Sequence, residues 1–121
     1  MFKKILILII IKSNTLIAEG LLLPPAEDFF MDSQKSMRNI TPILIMFSVP
    51  ECGYCKKIKE EVLGPMAKIE EYKDKIIIRH VDSSSNREIN NFFNDKVSEN
   101  DFSFSYAIDL FPTIILVDNY G

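Results

Sequence analysis

Apolar residues along this chain fall into short runs that are separated by polar segments. Three of these runs, 43–47, 76–82 and 113–117, are rich in isoleucine, valine and phenylalanine. Runs of this length and composition are typical of β-strands. The first is continuously apolar, which predicts a central strand that is buried on both faces.

A second pattern, with apolar residues three and four positions apart, predicts an amphipathic helix after the first strand. It begins near Cys55 and continues through Ile58, Val62, Met66, Ile69 and Tyr72. We expect a kink or restart at Gly64-Pro65, because proline lacks a backbone N–H and pushes the preceding residue out of the α region.

Three shorter helices complete the prediction. One covers 26–38, with Phe29 and Met37 among its apolar positions, and one covers 86–93. The third has Ser98 as its N-cap and runs through Phe102 to Ala107. Strands that alternate with helices indicate an α/β fold, in which the first two strands are parallel and joined by a right-handed crossover.

Composition limits the class of protein. The 121 residues, 47% hydrophobic and 26% charged, are typical of one globular domain. A net charge of −3 provides no basic field, so nucleic acid is not an expected partner.

The N-terminus has the pattern of an export signal. Met1-Phe2-Lys3-Lys4 is a short basic segment, and the aliphatic run 5–11 that follows is too short to span about 30 Å of hydrocarbon. We therefore predict a signal peptide over 1–18 and one domain over 19–121, in preference to an uncleaved anchor or a buried first strand.

The only two cysteines, Cys52 and Cys55, follow the first predicted strand directly, in the sequence "PECGYCKK". A structural disulfide here would close too short a loop to restrain the unfolded chain much. A structural zinc site needs about four ligands, and beyond the cysteines and His80 only carboxylates remain. We interpret His80 itself as a partly buried, hydrogen-bonded strand residue rather than a catalytic one.

A redox centre fits the spacing best. Cys52 lies where the helix begins, and the unpaired N–H groups there favour the thiolate. Cys55, one helical turn later and deeper, can attack a mixed disulfide formed at Cys52. Two thiolates also suit Cu(I), so a copper-delivery module is the competing interpretation.

The strand-CxxC-helix order, together with "DLFPT" at 109–113, resembles the thioredoxin superfamily. The stretches "ILIMFSVPECGYCKKIKEEVLGP", "IIIRHVDSSS" and "YAIDLFPTIILVDNYG" resemble the small exported thioredoxin-like proteins of Gram-negative bacteria, over about 26–121. The resemblance implies an α/β thioredoxin-like fold, with a central sheet flanked by helices. It also implies that Pro112 is cis and faces the cysteines, with Phe111 offering its backbone to a substrate peptide.

The chain departs from thioredoxins at several points. Met46 replaces a buried carboxylate six residues before the first cysteine, and Glu51 replaces the tryptophan just before it. Proton transfer at Cys55 must then use water or another group. The usual last strand and C-terminal helix are absent after 113–117, so we expect a C-terminally incomplete domain with one uncovered sheet face.

These observations predict a periplasmic thiol–disulfide oxidoreductase that needs no cofactor and no metal. Cys52 and Cys55 are its predicted catalytic residues, and Phe111, Pro112 and Tyr54 its predicted substrate contacts; Tyr54 is equally well interpreted as an exposed tyrosine. The predicted partners are cysteine-containing exported proteins and a redox partner protein. Contact with the membrane is expected only if the leader is not cleaved; the leader would then anchor the protein in the membrane with its domain in the periplasm. The alternatives are the Cu(I) module and an inactive truncated remnant.

Overall fold

The computed structural model describes residues 23–121, so the predicted signal peptide lies outside the described residues. We number four α-helices and five strands in chain order. The helices are α1 (Phe29–Asn39), α2 (Gly53–Ile58), α3 (Gly64–Lys68) and α4 (Glu99–Ser105), with a π-helical turn at Lys59–Leu63 and a 3₁₀ turn at Glu70–Tyr72. The strands are β1 (Ile43–Ser48), β2 (Ile77–Asp82), β3 (Glu88–Asn90), β4 (Lys96–Ser98) and β5 (Thr113–Val117).

The main sheet has the order β2-β1-β5. Strand β1 pairs in parallel with β2 and antiparallel with β5. Every residue of β1 is buried, which confirms the prediction of a central strand with two covered faces. The parallel pairing of the first two strands is confirmed as well.

The segment that precedes α1 lies along the edge of β2 that is opposite to β1. The His80 N–H donates a hydrogen bond of 2.9 Å to the Pro24 carbonyl, and the His80 carbonyl accepts one of 2.8 Å from the Ala26 N–H. The backbone of β2 is therefore held from both sides at His80.

Successive residues of a strand point to opposite faces of the sheet, so β1 divides the core in two. One face packs against α1 and α4 through stacked phenylalanines, with Phe29 and Phe102 rings 4.7 Å apart. The other face carries the helices that follow the cysteines. Its buried residues are Leu23, Leu44, Met46, Cys55, Leu63 and Ile78.

The predicted break at Gly64-Pro65 is present as a change of helical type. The Gly64 N–H donates to the Lys59 carbonyl, five residues back, which makes 59–63 a π-turn. Pro65 has no N–H to donate, and its ring would clash with the carbonyl of Glu61 in a regular α-helix. The π-turn adds one residue to the turn before the proline.

This extra residue rotates the buried face of the helix by one position. An α-helix that buries Cys55 would bring Val62 back to the same face after about two turns. Val62 is instead 49% exposed, and Leu63 is only 3% exposed. The prediction that Val62 faces the core is wrong for this reason.

The predicted helix over 86–93 is also wrong. Strand β3 pairs antiparallel with β4, and the turn between them is closed by the Asn91 side chain. The Asn91 carboxamide oxygen accepts hydrogen bonds from the N–H groups of Phe93 and Asp95, both at 2.9 Å. Asparagine stabilises such turns locally, and this outweighs the helical spacing of the apolar residues.

Helix α1 begins later than the predicted residue 26. Asp28 is its N-cap, and the Asp28 carboxylate accepts a hydrogen bond from the Met31 N–H at 3.0 Å. Met37, predicted as one of the apolar positions of this helix, is exposed, and so is Met31. The third predicted helix is confirmed, with Ser98 as the N-cap of α4 and its hydroxyl accepting from the Asp101 N–H.

The described residues contain no helix that combines the length and the hydropathy required to span a membrane.

On β5, the side chains of Ile114 and Leu116 are exposed and those of Ile115 and Val117 pack against the aromatic half of the core.

The rotation at the π-turn gives a matched pair of substitutions. We expect Leu63→Ala to lower the free energy of unfolding by about 2–4 kcal/mol, because it opens a cavity beside Cys55. Val62→Ala should cost less than about 1 kcal/mol, because this side chain is half exposed. Urea unfolding of the oxidised protein measures both values. Equal losses, or a larger loss at Val62, would contradict the π-turn.

Candidate active site

The chain between β1 and α2 sets the position of the cysteines. Strand β1 ends at Ser48, and Glu51 then takes a left-handed conformation with φ of 61°. Cys52 is extended and forms the N-cap of α2. Its sulfur accepts a hydrogen bond of 3.1 Å from the Cys55 N–H. A sulfur in this position meets an unpaired backbone donor at the positive end of the helix.

Cys52 and Cys55 are joined in a disulfide. The two sulfurs have different surroundings, because Cys55 is 1% exposed among the buried residues under α2 and Cys52 is partly exposed. Gly53 leaves the space beside them open, since a Cβ atom at this position would meet no atom within 4 Å. An incoming group can therefore reach Cys52 but not Cys55.

Phe111 and Pro112 lie beside this loop because of the antiparallel register of β1 and β5. Phe47 pairs with Thr113, so the two residues before Thr113 come next to the end of β1 from which the cysteine loop leaves. The Phe111-Pro112 peptide bond is cis, as the resemblance implied. Phe111 is partly buried and packs against the core cluster that contains Cys55.

Tyr54 lies between the cysteines and is 76% exposed. Its ring has no partner among the aromatic contacts of the described residues. Its role as a substrate contact stays a prediction. Lys56 and Lys57 are exposed and lie in the last turn of α2, whereas Cys52 is the cap at its N-terminal end.

His80 lies on the face of the sheet that carries Cys55, although the sequence interpretation left it out of the site. It pairs with Met46 in the β1–β2 register, and it alternates with Ile78, a buried neighbour of Cys55 in the core. The His80 Nε2 atom is 2.5 Å from the hydroxyl oxygen of Ser48, which is buried at the end of β1. The prediction that His80 is partly buried and hydrogen-bonded is confirmed.

The surroundings of His80 keep it neutral near pH 7. Burial, with a smaller contribution from the nearby Lys59 ammonium, lowers the pKa of His80 from 6.5 to about 4. The carboxylates of Glu99 and Asp82 act in the opposite direction and only partly offset the burial. A neutral imidazole is a proton acceptor. Two features of the sequence could have identified His80 as a site residue. Side chains alternate along β2, which places His80 on the same face as Ile78, and Met46 stands where thioredoxins have a buried carboxylate.

The described residues contain no group of three or more histidine, cysteine, aspartate or glutamate side chains that could together hold a metal ion. A soft ion such as Cu(I) would have the two sulfurs of Cys52 and Cys55 as its ligands, and only after the disulfide is reduced.

Comparisons with known proteins agree with this geometry. A family model described as a thioredoxin-like domain matches residues 29–121. A solved thioredoxin-fold protein from Helicobacter pylori superposes with a TM-score of 0.55 and 26% sequence identity. The match covers 69% of this chain and 56% of that one, so this chain spans little more than half the length of that protein. No curated protein sequence matches the chain. Because the family model covers most of the chain, including both cysteines and the cis proline, the protein belongs to the thioredoxin-like family.

Proposed function

We propose that this protein is a thiol–disulfide oxidoreductase that acts on cysteines of exported proteins in the periplasm. The observation that carries the proposal is the pairing of a partly exposed sulfur at a helix start, Cys52, with a fully buried sulfur one turn later, Cys55. Nucleophilic attack requires exposure and thiolate character, and the resolving sulfur requires only proximity. The two cysteines meet these two requirements separately.

The reduction of a substrate disulfide then has two steps. The Cys52 thiolate attacks one substrate sulfur, a mixed disulfide forms, and the other substrate sulfur leaves as a thiolate that takes a proton. Cys55 loses its proton and attacks the Cys52 sulfur, which restores the Cys52–Cys55 disulfide and releases the second substrate thiol. Two electrons pass from the protein to the substrate; one substrate thiolate takes up the proton that Cys55 loses, and the other takes a proton from the solvent. The reverse sequence oxidises a substrate dithiol.

The edge of the sheet beside Cys52 suits an extended substrate. Phe111 and Pro112 precede the first paired residue of β5, so their backbone lies next to the cysteine loop without a partner from β1. A peptide bound there in an extended conformation would pair with the backbone of Phe111 and bring its own cysteine to Cys52. Tyr54, exposed between the cysteines, would contact the same peptide.

The periplasmic location rests on the N-terminal pattern of the sequence, a short basic segment followed by an aliphatic run. An oxidising compartment suits the disulfide form of the pair, and a redox partner protein would be needed to reset it. The direction of electron flow is set by the reduction potential of the Cys52–Cys55 pair relative to those of its substrate and its redox partner.

Turnover after metal removal separates an oxidoreductase from a copper carrier. After exhaustive chelation, the reduced protein should still reduce a disulfide-containing peptide, because sulfur exchange needs no metal. Cys52→Ser should abolish turnover, whereas Cys55→Ser should accumulate a mixed disulfide that mass spectrometry detects. Tight stoichiometric uptake of Cu(I) with no turnover by the parent protein would overturn the proposal in favour of copper delivery.

The order of alkylation tests the roles of the two sulfurs. In the reduced protein, iodoacetamide near pH 6.5 should modify Cys52 at least about tenfold faster than Cys55, because Cys52 caps the helix and Cys55 is buried. Peptide mapping by mass spectrometry measures the two rates, and the protein unfolded in urea is the control in which the rates become similar. Faster modification of Cys55 would reverse the assigned roles.

A further inference from the structure

In the resolving step Cys55 must lose its proton, so the step needs a proton acceptor. Cys55 is fully buried, and burial disfavours the thiolate that it must form before it can attack. A buried base on the same face of the sheet would remove this obstacle. Met46, fully buried next to Cys55 in the core, has no proton to exchange.

The acceptors on this face can be identified from strand alternation. Strand alternation places Leu44, Met46 and Ser48 of β1 on the face of the sheet that carries Cys55, together with Ile78 and His80 of β2. Of these five side chains, only those of Ser48 and His80 can accept a proton, and they are hydrogen-bonded to each other. Ser48 is the last residue of β1, from which the cysteine loop departs, and His80 lies beside it in β2, two residues before the end of that strand.

We propose that His80, acting through the Ser48 hydroxyl, accepts the proton of Cys55 during the resolving step; this rests on the proposed oxidoreductase function. The Cys55 thiol gives its proton to the Ser48 oxygen while the Ser48 hydroxyl proton moves to His80 Nε2. The Cys55 sulfur then attacks the Cys52 sulfur, the bond from Cys52 to the substrate breaks, and the substrate leaves as a thiolate. The proton on His80 returns through Ser48 to the departing thiolate, so no proton is gained or lost.

The charged groups around His80 come from several elements. Lys59 in the π-turn and Arg87 before β3 disfavour the imidazolium, and Glu99 of α4 and Asp82 of β2 favour it. Glu99 is held in place by Arg87, with 3.3 Å between the Arg87 Nη2 and the Glu99 Oε2, and by the Asp82 N–H. Neutral His80 is therefore available above about pH 4, over the range in which sulfur exchange takes place.

The backbone of His80 is fixed independently of its ring. Hydrogen bonds to Pro24 and from Ala26 hold the strand on one side, and β1 holds it on the other. A substitution of the ring by another polar side chain should therefore leave the strand in place. His80→Gln keeps a polar side chain that hydrogen-bonds to Ser48 but cannot accept the proton.

The test uses stopped-flow reaction of the reduced protein with excess 5,5′-dithiobis(2-nitrobenzoate), whose released thiolate absorbs light. The first phase reports attack by Cys52 and depends on the reagent concentration. The second phase reports attack by Cys55 on the mixed disulfide and is independent of that concentration. We expect His80→Gln to leave the first phase within about twofold and to slow the second phase at pH 7 by about tenfold or more.

The pH profile separates proton acceptance from a structural role. In the parent protein the second phase should be nearly flat at neutral pH and fall as the pH drops toward about 4, where His80 becomes protonated. In His80→Gln and Ser48→Ala it should rise about tenfold per pH unit and approach the parent rate at alkaline pH, because Cys55 then ionises by itself. Met46→Leu is a matched control on the same face and should retain the parent profile.

The possible outcomes distinguish the two proposals. If both phases occur and the second is unchanged in rate and pH profile in His80→Gln, the role of His80 is wrong and the oxidoreductase function stands. If both phases slow equally in His80→Gln, its role is structural, which also overturns the proposal. If the parent protein shows no second phase, the proposed function itself fails.

Discussion

The structure depends on the complete burial of strand β1. Its residues are covered on both faces, and burial of each large apolar side chain contributes about 1.5–3 kcal/mol. Because β1 pairs with β2 on one side and β5 on the other, its end fixes three groups at once. The cysteine loop leaves from this end, the Phe111-Pro112 bond lies beside it, and Ser48 holds the ring of His80 there. The chemistry of the site is thus positioned by the core.

The helix after the cysteines joins this core through an irregular turn. A regular helix would place Val62 against the sheet, and Pro65 prevents it by removing a donor and crowding the preceding turn. The π-turn moves Leu63 into the core beside Cys55. One proline therefore determines which side chain packs under the active site.

The exchange of a carboxylate for a methionine at position 46 changes the electrostatics of the buried half of the site. A buried carboxylate would carry a desolvation cost and serve as a proton acceptor, whereas Met46 packs without either effect. Its partner across the sheet is His80, a group that burial keeps neutral. A neutral imidazole hydrogen-bonded to a serine costs less to bury than a charge, and it retains the ability to accept a proton.

The amino-acid sequence alone was enough to predict the family, the three main strands and the position of the cysteine pair at the start of a helix. These depend on local signals: continuous apolar runs, the two-residue spacing of the cysteines, and the "FPT" stretch before the last strand. It failed where two local signals competed, as at 86–93, where the turn formed by Asn91 outweighed the helical spacing. Only the tertiary structure decided which residue after Cys55 faces the core, because the π-turn shifts the pattern by one position. It also decided the surroundings of His80, since Ser48, Lys59 and Glu99 come from separate elements and are brought together only when the sheet and its helices pack.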